Sequence, residues 1–546
     1  MKTRVLIVGG GTGGVAAALA LAGRGVECVM TEPTDWIGGQ LTAQAVPPDE
    51  NRWIEGREGV QSATRGYLAY REGVRAWYRA NRRLTAEARG DAHLNPGNGW
   101  VSDLCHEPAV GHGVLVGMLA GHVAAGRVRV MLGTVPVGAE VAGDVVRAVE
   151  VMGTDGTRTT IEPEYVLDAT EIGDMLKLAG AEYFAGAEHR DVHGEMHGRE
   201  DKTDAHDVQA VSWCFALEHL PGEDHTIGRP EGYGFWRDYV PPLTPPWPGK
   251  LFSWTQIGGN EHKPRTFRWR PHPLEPDEGE WEMWRYRRIV DASIYEGGGG
   301  PPDVALVNMV QMDYFLTPTL EVSDAERARA FAAAKEQSKC LVYWMQTEAP
   351  RMDGTEGVGF PGLRLRGKEL GTQDGFAKHP YIREARRLDA IKMVTEGHVG
   401  MEQRRAEGKV KAGDPAHGVG ECFADSVGIG HYRLDLHPSS AMRNSIYVEA
   451  APFRIPLGAL VPKRVKNLLA AGKCLGVTHI TNGCYRLHPV EWNVGEAAGH
   501  VAGYCIANGV TPAGVAGSVR HVRALQGELA RAGVALGWPW EGGEGL

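Results

Sequence analysis

An α/β chain built on a parallel sheet is what the sequence predicts, and three stretches predict it. The apolar run Val5-Leu6-Ile7-Val8 passes directly into Gly9-Gly10-Gly11-Thr12-Gly13-Gly14, and an alanine- and leucine-rich stretch follows to Ala22. A second apolar run, Val26 to Met30, ends at Glu32, 18 positions beyond Gly14. A later run, Tyr165 to Asp168, leads into small residues and reads as a return to the parallel sheet.

Strand, tight turn, helix, strand and acid make a nucleotide-binding pattern with a physical reason at each position. Gly9 lets the strand turn sharply, Gly11 lets backbone approach a diphosphate, and Gly14 lets helix and strand pack closely. Thr12 and Gly13 complete the turn, whose free N–H groups lie at the positive end of the helix dipole. Glu32, at the tip of the second strand, is placed to accept hydrogen bonds from a ribose diol.

With 546 residues the chain exceeds one compact core, so two or three domains are expected. A net charge of −10 argues against nucleic acid or anionic membrane as a partner, since both are bound through an excess of Lys and Arg. No apolar stretch approaches the roughly 18 residues a membrane span needs. The first apolar run is broken by Gly and Thr and supplies a strand, so it reads as part of the mature chain, not as a signal peptide. Eight cysteines without a CxxC pair are the usage of a reduced, cytoplasmic protein.

After the acidic strand comes Trp36-Ile37-Gly38-Gly39-Gln40-Leu41-Thr42. Adjacent Gly38 and Gly39 let backbone pass close to a flat or phosphorylated ligand, and Gln40 and Thr42 offer it hydrogen bonds, with Leu41 between them. This opening resembles the FAD-dependent oxidoreductases of the glutathione-reductase structural superfamily. The resemblance implies FAD as cofactor and a three-layer, Rossmann-type FAD-binding domain carrying an inserted α+β substrate or cap domain.

Thr64 to Arg89 reads as an amphipathic helix, with Tyr67, Tyr70, Val74, Trp77 and Tyr78 at helical spacing. His106 beside Glu107 is a candidate acid/base pair, although adjacent residues point in different directions. A helix from Val110 to Ala124 precedes the strand Val128 to Leu132, which Val135-Pro136-Val137 continues. The resemblance places adenine beside Pro136. Val145 to Val151 and Thr159 to Ile161 read as a small β-meander around the turn Thr154 to Thr157. Ala169 and Thr170 leave space near the cofactor, and Glu171 stands where similar enzymes carry glycine.

Glu188 to Asp207 holds His189, His193 and His197 at spacings of four, but its glycines and charges favour a solvated loop over a metal site. Gln209 to Leu217 reads as a strand opening the second domain. Gly228 to Arg270, with Trp236, Trp247, Trp254 and Trp269, suits either an irregular cap or wall over a pocket or a long ordered surface insertion with no ligand contact. Ser323 and Glu326 form a capping box for a helix that Pro350 stops. The cation-rich PYIRE-x-RR segment, Pro380 to Arg387, either is a solvated run or turns Arg383 or Arg387 toward flavin or an anionic substrate. It also occurs in a subgroup of FAD-dependent oxidoreductases that the chain resembles nearly end to end.

Toward the C-terminus, Gly428 to Pro438 concentrates His431, Arg433, Asp435 and His437, and Asn467 to Cys474 is a strand running into Gly472 and Lys473. Pro489 and Val490 open a helix, Glu491 to Ala507, whose small residues at 495 and 497 to 499 allow close contact with the nucleotide sheet. In similar flavoproteins this helix start faces the pyrimidine edge of the flavin. The expected division is 1–200 and 421–510 for the FAD-binding domain, 201–420 for the substrate domain, and 511–546 for a terminal helix and tail.

The expected reaction is hydride transfer between a small substrate, anionic or aromatic or sugar-like, and flavin N5. His431, His437 and His488 are the candidates for the proton step, and Arg486 and Arg383 for holding an anion. A monooxygenase using NAD(P)H and oxygen is the alternative, although no second glycine fingerprint for a nicotinamide nucleotide is present. A flavin-carrying subunit or an RNA-binding flavoprotein is a further class; the acidic balance argues against RNA, and no CxxC array for iron–sulfur clusters supports an electron-transfer subunit.

Overall fold

β1 (Lys2–Val8) runs through the centre of the main sheet, because its last four residues are fully buried and strands pair with it in parallel on both sides. The structure is a computed structural model that describes residues 1–258, 263–271, 282–298, 300–352 and 356–541. On one side of β1 lie β2 (Cys28–Glu32) and then β3 (Val128–Leu132). On the other lies β6 (Arg158–Asp168), followed by the strand Leu468–Ala470, and every one of these pairings is parallel. The fold is thus α/β with a parallel sheet, and its fifth strand comes from the far end of the chain.

The β-meander departs from the sequence expectation in an instructive way. Gly133, at φ +60°, breaks the chain after β3, so Val135 to Val137 belong to a separate strand, β4 (Thr134–Ala142), which pairs with β5 (Val145–Gly153). The two segments expected after β5 are one unbroken strand. The start of β6 pairs antiparallel with β5, and its end pairs in parallel with Leu468–Ala470. Pro163, which has no N–H to donate, falls between those two pairings.

Four helices precede the meander. α1 (Thr12–Gly23) starts at the glycine turn and is buried along nearly all its length. The helix expected over 64–89 divides into α2 (Arg65–Asn81) and α3 (Ala86–Gly90), since Arg82 is extended and Thr85 caps a new helix through the Ala88 N–H. α4 (Pro108–Ala124) follows.

A second core surrounds the antiparallel sheet of Arg288–Val290, Val304–Val307, Phe215–His219 and Leu363–Leu365. The helix Asp324–Thr347, with its Ser323/Glu326 capping box in place, packs in the same core. Trp236, Trp247, Trp254 and Trp269 are all buried there, so this tryptophan-rich stretch is packed structure; its residues 259–262 lie outside the described residues. The histidines after residue 188 line up on no long helix. Arg190–His193 forms a single turn closed by Gly194, and His197 sits 2.5 Å from Glu396.

The long C-terminal helix, His488–Asn508, begins three residues before the expected start and carries Pro489 in its first turn. Its small residues meet α1 itself. A Cβ added at Gly495 would lie 2.0 Å from the Gly13 carbonyl oxygen, and one at Gly499 would lie 2.7 Å from that of Ala17. No helix among the described residues is long and apolar enough to cross a membrane.

Gly495→Val should therefore separate these two helices and lower stability by about 2 kcal/mol or more. Thermal unfolding of purified protein measures it, and an unchanged midpoint would show that the contact can relax.

Candidate functional site

Backbone touches backbone throughout the glycine turn. Gly9 has φ +103°, and a Cβ there would lie 2.2 Å from the Ala169 carbonyl oxygen. A Cβ on Gly14 would lie 1.9 Å from the Gly9 carbonyl oxygen. The turn is tied to the second loop by the Gly38 N–H, which donates to Gly10 O at 2.8 Å, and by Thr12 Oγ1, which donates to Gly38 O at 2.9 Å. Gly38 and Gly39 both have positive φ, as close passage of that loop requires.

Glu32 is buried at the tip of β2, where it accepts hydrogen bonds from the Gly10 N–H (3.1 Å), the Thr34 N–H (2.9 Å) and the Thr34 hydroxyl (2.7 Å). Burial nevertheless pushes its carboxyl up to about 7. Beside it lies a cavity of about 170 Å³ lined by Gly9, Gly11, Glu32, Pro136, Ala169 and Thr170, among others.

Next to this cavity a buried polar cluster joins four segments. Gln40 donates through Nε2 to the Arg486 carbonyl (3.0 Å) and to Glu491, and Lys473 pairs with Glu171. A Cβ on Gly11 or on Gly39 would come within 2.9 Å of a Glu171 carboxylate oxygen. Burial works against ionising Glu171, but Lys473 outweighs it and holds the carboxyl low; burial raises that of Glu491. Leu41 and Gly472 are buried beside these groups, and the Thr42 hydroxyl closes the second loop on Ile37 O at 2.6 Å. Val490 packs under Gly430 in the first turn of the helix that Pro489 opens.

The three candidate histidines divide sharply. His431 lies among Trp53, His417 and Ala450, where burial drives its imidazole down to about 4. It is apart from the polar cluster. His488 is fully buried, and its Nδ1 accepts the Asp49 N–H at 3.0 Å. His437 joins the two arginines: its Nδ1 is 2.5 Å from Asp313 and its Nε2 is 3.8 Å from Asp435. Arg383 reaches Asp313 at 3.1 Å, and Arg486 reaches Asp435 at 3.5 Å and donates to the Tyr381 hydroxyl at 2.6 Å. The PYIRE-x-RR run is therefore buried, not solvated, and Arg387 is spent on Glu384 and Glu188. Nor do His106 and Glu107 form an imidazole–carboxylate pair: the imidazole binds Tyr70 (2.9 Å) and the Glu107 backbone carbonyl (2.9 Å), and the carboxylate binds Tyr78 and Arg82.

Asp313 and Tyr381 receive no role from the sequence, and Asp435 is read there only as a member of the Gly428–Pro438 cluster. Asp435 stands two positions from His437, the spacing that puts two residues on one face of an extended segment. Asp313 arrives from a distant short strand with no local signal.

A family model described as FAD dependent oxidoreductase matches residues 4–529. The chain belongs to that family. FAD is accordingly its cofactor, and the protein is an oxidoreductase. Over 68 residues it is 38% identical to the FAD-dependent monooxygenase ntnJ of a Nectria species, and over 66 residues 41% identical to an N,N-dimethylglycine/sarcosine dehydrogenase of Chromohalobacter salexigens. Each match covers 12% of this chain and only 16% and 8% of the respective relative. Among solved structures it resembles the flavin-dependent monooxygenase PieE in complex with FAD and substrate, at 19% identity and a TM-score of 0.22 over 40% of this chain and 35% of that one.

In this family member Glu32 gives a pH test. Its carboxyl titrates near 7 when folded, against an ordinary value of 4.5, so the folded state binds the extra proton between those values. Its contribution to stability thus falls as pH rises through that window, by up to about 3 kcal/mol. Glu32→Gln should flatten the decline of the thermal midpoint between about pH 5 and 8; parallel curves for both proteins would refute the assignment.

Proposed function

We propose that this oxidoreductase is a dehydrogenase or oxidase of a small organic substrate, with His437 taking the proton that accompanies hydride loss. The observation that carries the reading is an imidazole held between two carboxylates, each of which is paired with an arginine. Burial opposes the charge on both acids. It is overcome by Arg383 and His437 at Asp313, and by His437 and Arg486 at Asp435, whose carboxyl falls to about 2. Two anions at its two nitrogens orient the ring and stabilise the charge that proton transfer brings. Arg383, spent on Asp313, Ala210 and Ser212, and Arg486, spent on Asp435 and Tyr381, act as positioning residues.

The cradle fits the dinucleotide on the chain's own terms. The cavity beside Glu32 is lined by backbone of the glycine turn, which comes this close only because Gly9, Gly11, Gly13 and Gly14 carry no Cβ; the Gly13 N–H at the start of α1 is directed at the Glu491 carboxylate, and Gln40 Oε1 is buried without a partner. In our reading Glu32 binds the ribose, Pro136, Ala169 and Thr170 line the adenosine end, and Gly9, Gly11, Thr12, Gly13 and Gly14 hold the diphosphate with Lys473. Gly38 to Thr42, Gly472, Pro489 and Val490 then enclose the ring end, beside His488. When bound, FAD supplies the hydride acceptor. The division into 1–200 with 421–510, 201–420 and 511–546 belongs to the same proposal, as does a cytoplasmic location, which eight unpaired thiols support.

Anaerobic screening of purified protein against alcohols, amines and reduced nicotinamides tests the reading through bleaching of the flavin band. An organic substrate should bleach it without a nicotinamide. His437→Gln should slow that reduction by about 100-fold or more while FAD content is kept, whereas His431→Gln should change it less than about threefold. Bleaching by NADPH alone would favour the monooxygenase instead.

A further inference from the structure

The cavity beside Glu32 and the buried polar cluster next to it meet at one side chain. Of Gln40, Glu171, Lys473 and Glu491, only Glu171 lines the cavity, together with Gly9, Gly11, Ala169 and Thr170. The backbone leading to it is fixed: the Ala169 N–H donates to Val8 O at 2.8 Å, and the Thr170 N–H and hydroxyl donate to Asp168 at 3.1 and 2.7 Å. The side chain alone is therefore free to choose its place. A Cβ on Gly11 and one on Gly39 would each lie 2.9 Å from the same atom, Glu171 Oε1, and the one on Gly39 would lie equally close to the Gly11 Cα. Oε1 thus stands where the glycine turn and the second loop converge. Oε2 pairs with Lys473, whose side chain is only 1% exposed.

That place is built for an anion. It lies at the positive end of α1, whose first N–H groups have no acceptor within the helix, and a buried ammonium stands beside it. Two carboxylates of the chain already face it, since a Cβ on Gly11 would lie 2.9 Å from Glu171 and 3.9 Å from Glu491. Burial opposes the charge on both; Lys473 outweighs it at Glu171 but not at Glu491. The negative charge in the gap is accordingly that of Glu171. Another anion brought there meets like charge at contact distance and finds the lysine taken, which is strongly unfavourable.

We propose that Glu171 is a gate on the cofactor site: its carboxylate and the cofactor's diphosphate compete for the gap between Gly11 and Gly39 and for Lys473. This rests on the reading that the glycine turn and Lys473 hold the diphosphate, and it names the side chain that sets how readily they do so. With the carboxylate as it stands here, Glu171 and a diphosphate exclude each other. Turning it away releases the gap and the ammonium together. The apparent affinity for the dinucleotide is then the intrinsic affinity reduced by the fraction of molecules whose Glu171 is turned away. A ligand that reaches the cavity without a phosphate is indifferent to the gate.

The test titrates full-length, FAD-free protein with FAD, ADP and adenosine, following flavin fluorescence for FAD, heat of binding for the others, and the rate of FAD association. Glu171→Gln should bind FAD and ADP about tenfold more tightly than wild type, through faster association, and adenosine within about twofold of wild type. Its thermal midpoint without ligand should fall, because Lys473 loses a buried partner, while the rise on adding FAD should grow. Glu171→Asp keeps the charge on a shorter stem that draws back from the gap. It should change FAD binding in the same direction by about threefold, and it decides if the glutamine variant does not fold. Lys473→Met added to Glu171→Gln removes the pair without stranding either charge, and should weaken FAD about 100-fold relative to Glu171→Gln. FAD binding equal to or weaker than wild type in the folded Glu171 variants, or a gain shared equally by adenosine, overturns the proposal. No gain at Glu171 with a loss on removing Lys473 sinks the gate alone; FAD binding that ignores the loss of Lys473 sinks the diphosphate reading beneath it.

Discussion

The structure depends on contacts between backbones that leave no room for a methyl group. At Gly13 and Gly495 the two ends of the chain meet in this way, and Gly9 does the same against Ala169. Because α1 and the helix His488–Asn508 are pressed together there, the glycine turn, the Gly38–Gly39 loop and the Lys473 turn are brought into contact. Gln40 adds a polar tie, since one side-chain amide reaches both the Arg486 carbonyl and the Glu491 carboxylate. A site formed this way cannot exist in either terminal segment alone.

Charge is the second organising quantity. The protein is acidic overall, yet it buries arginines at 383, 386, 387 and 486, two of them against carboxylates with little or no exposure. Such pairs are costly to bury and add little net stability, so their value lies in fixing geometry. Around His437 they orient an imidazole and hold two acids ionised. Around Glu171 the effect differs: a carboxylate stands against the glycine cradle where similar enzymes carry glycine, and Lys473 neutralises it.

The first forty residues were legible because their physics is local. A glycine turn, a buried alanine-rich helix and an acid at the end of the second strand impose themselves on neighbouring positions, and the structure places each as read. The capping box at Ser323 was legible for the same reason. What the sequence hid was set by distant contacts. Nothing near Asp313 announces that it will face His437 from 124 positions away, and nothing near Trp53 announces that it will gather His431 and Trp538 around it. Helix ends also yielded to context: Thr85 divides a stretch whose periodicity runs on without interruption.

Hydrogen–deuterium exchange of FAD-free protein titrated with FAD measures the central claim most directly, since that claim is one dinucleotide held by both ends of the chain. Peptides covering residues 9–14, 38–42 and 472–490 should gain protection together along a single saturation curve, with the terminal helix Val519–Ala532 unaffected. Protection confined to the N-terminal peptides, or separate curves for the two ends, would contradict it.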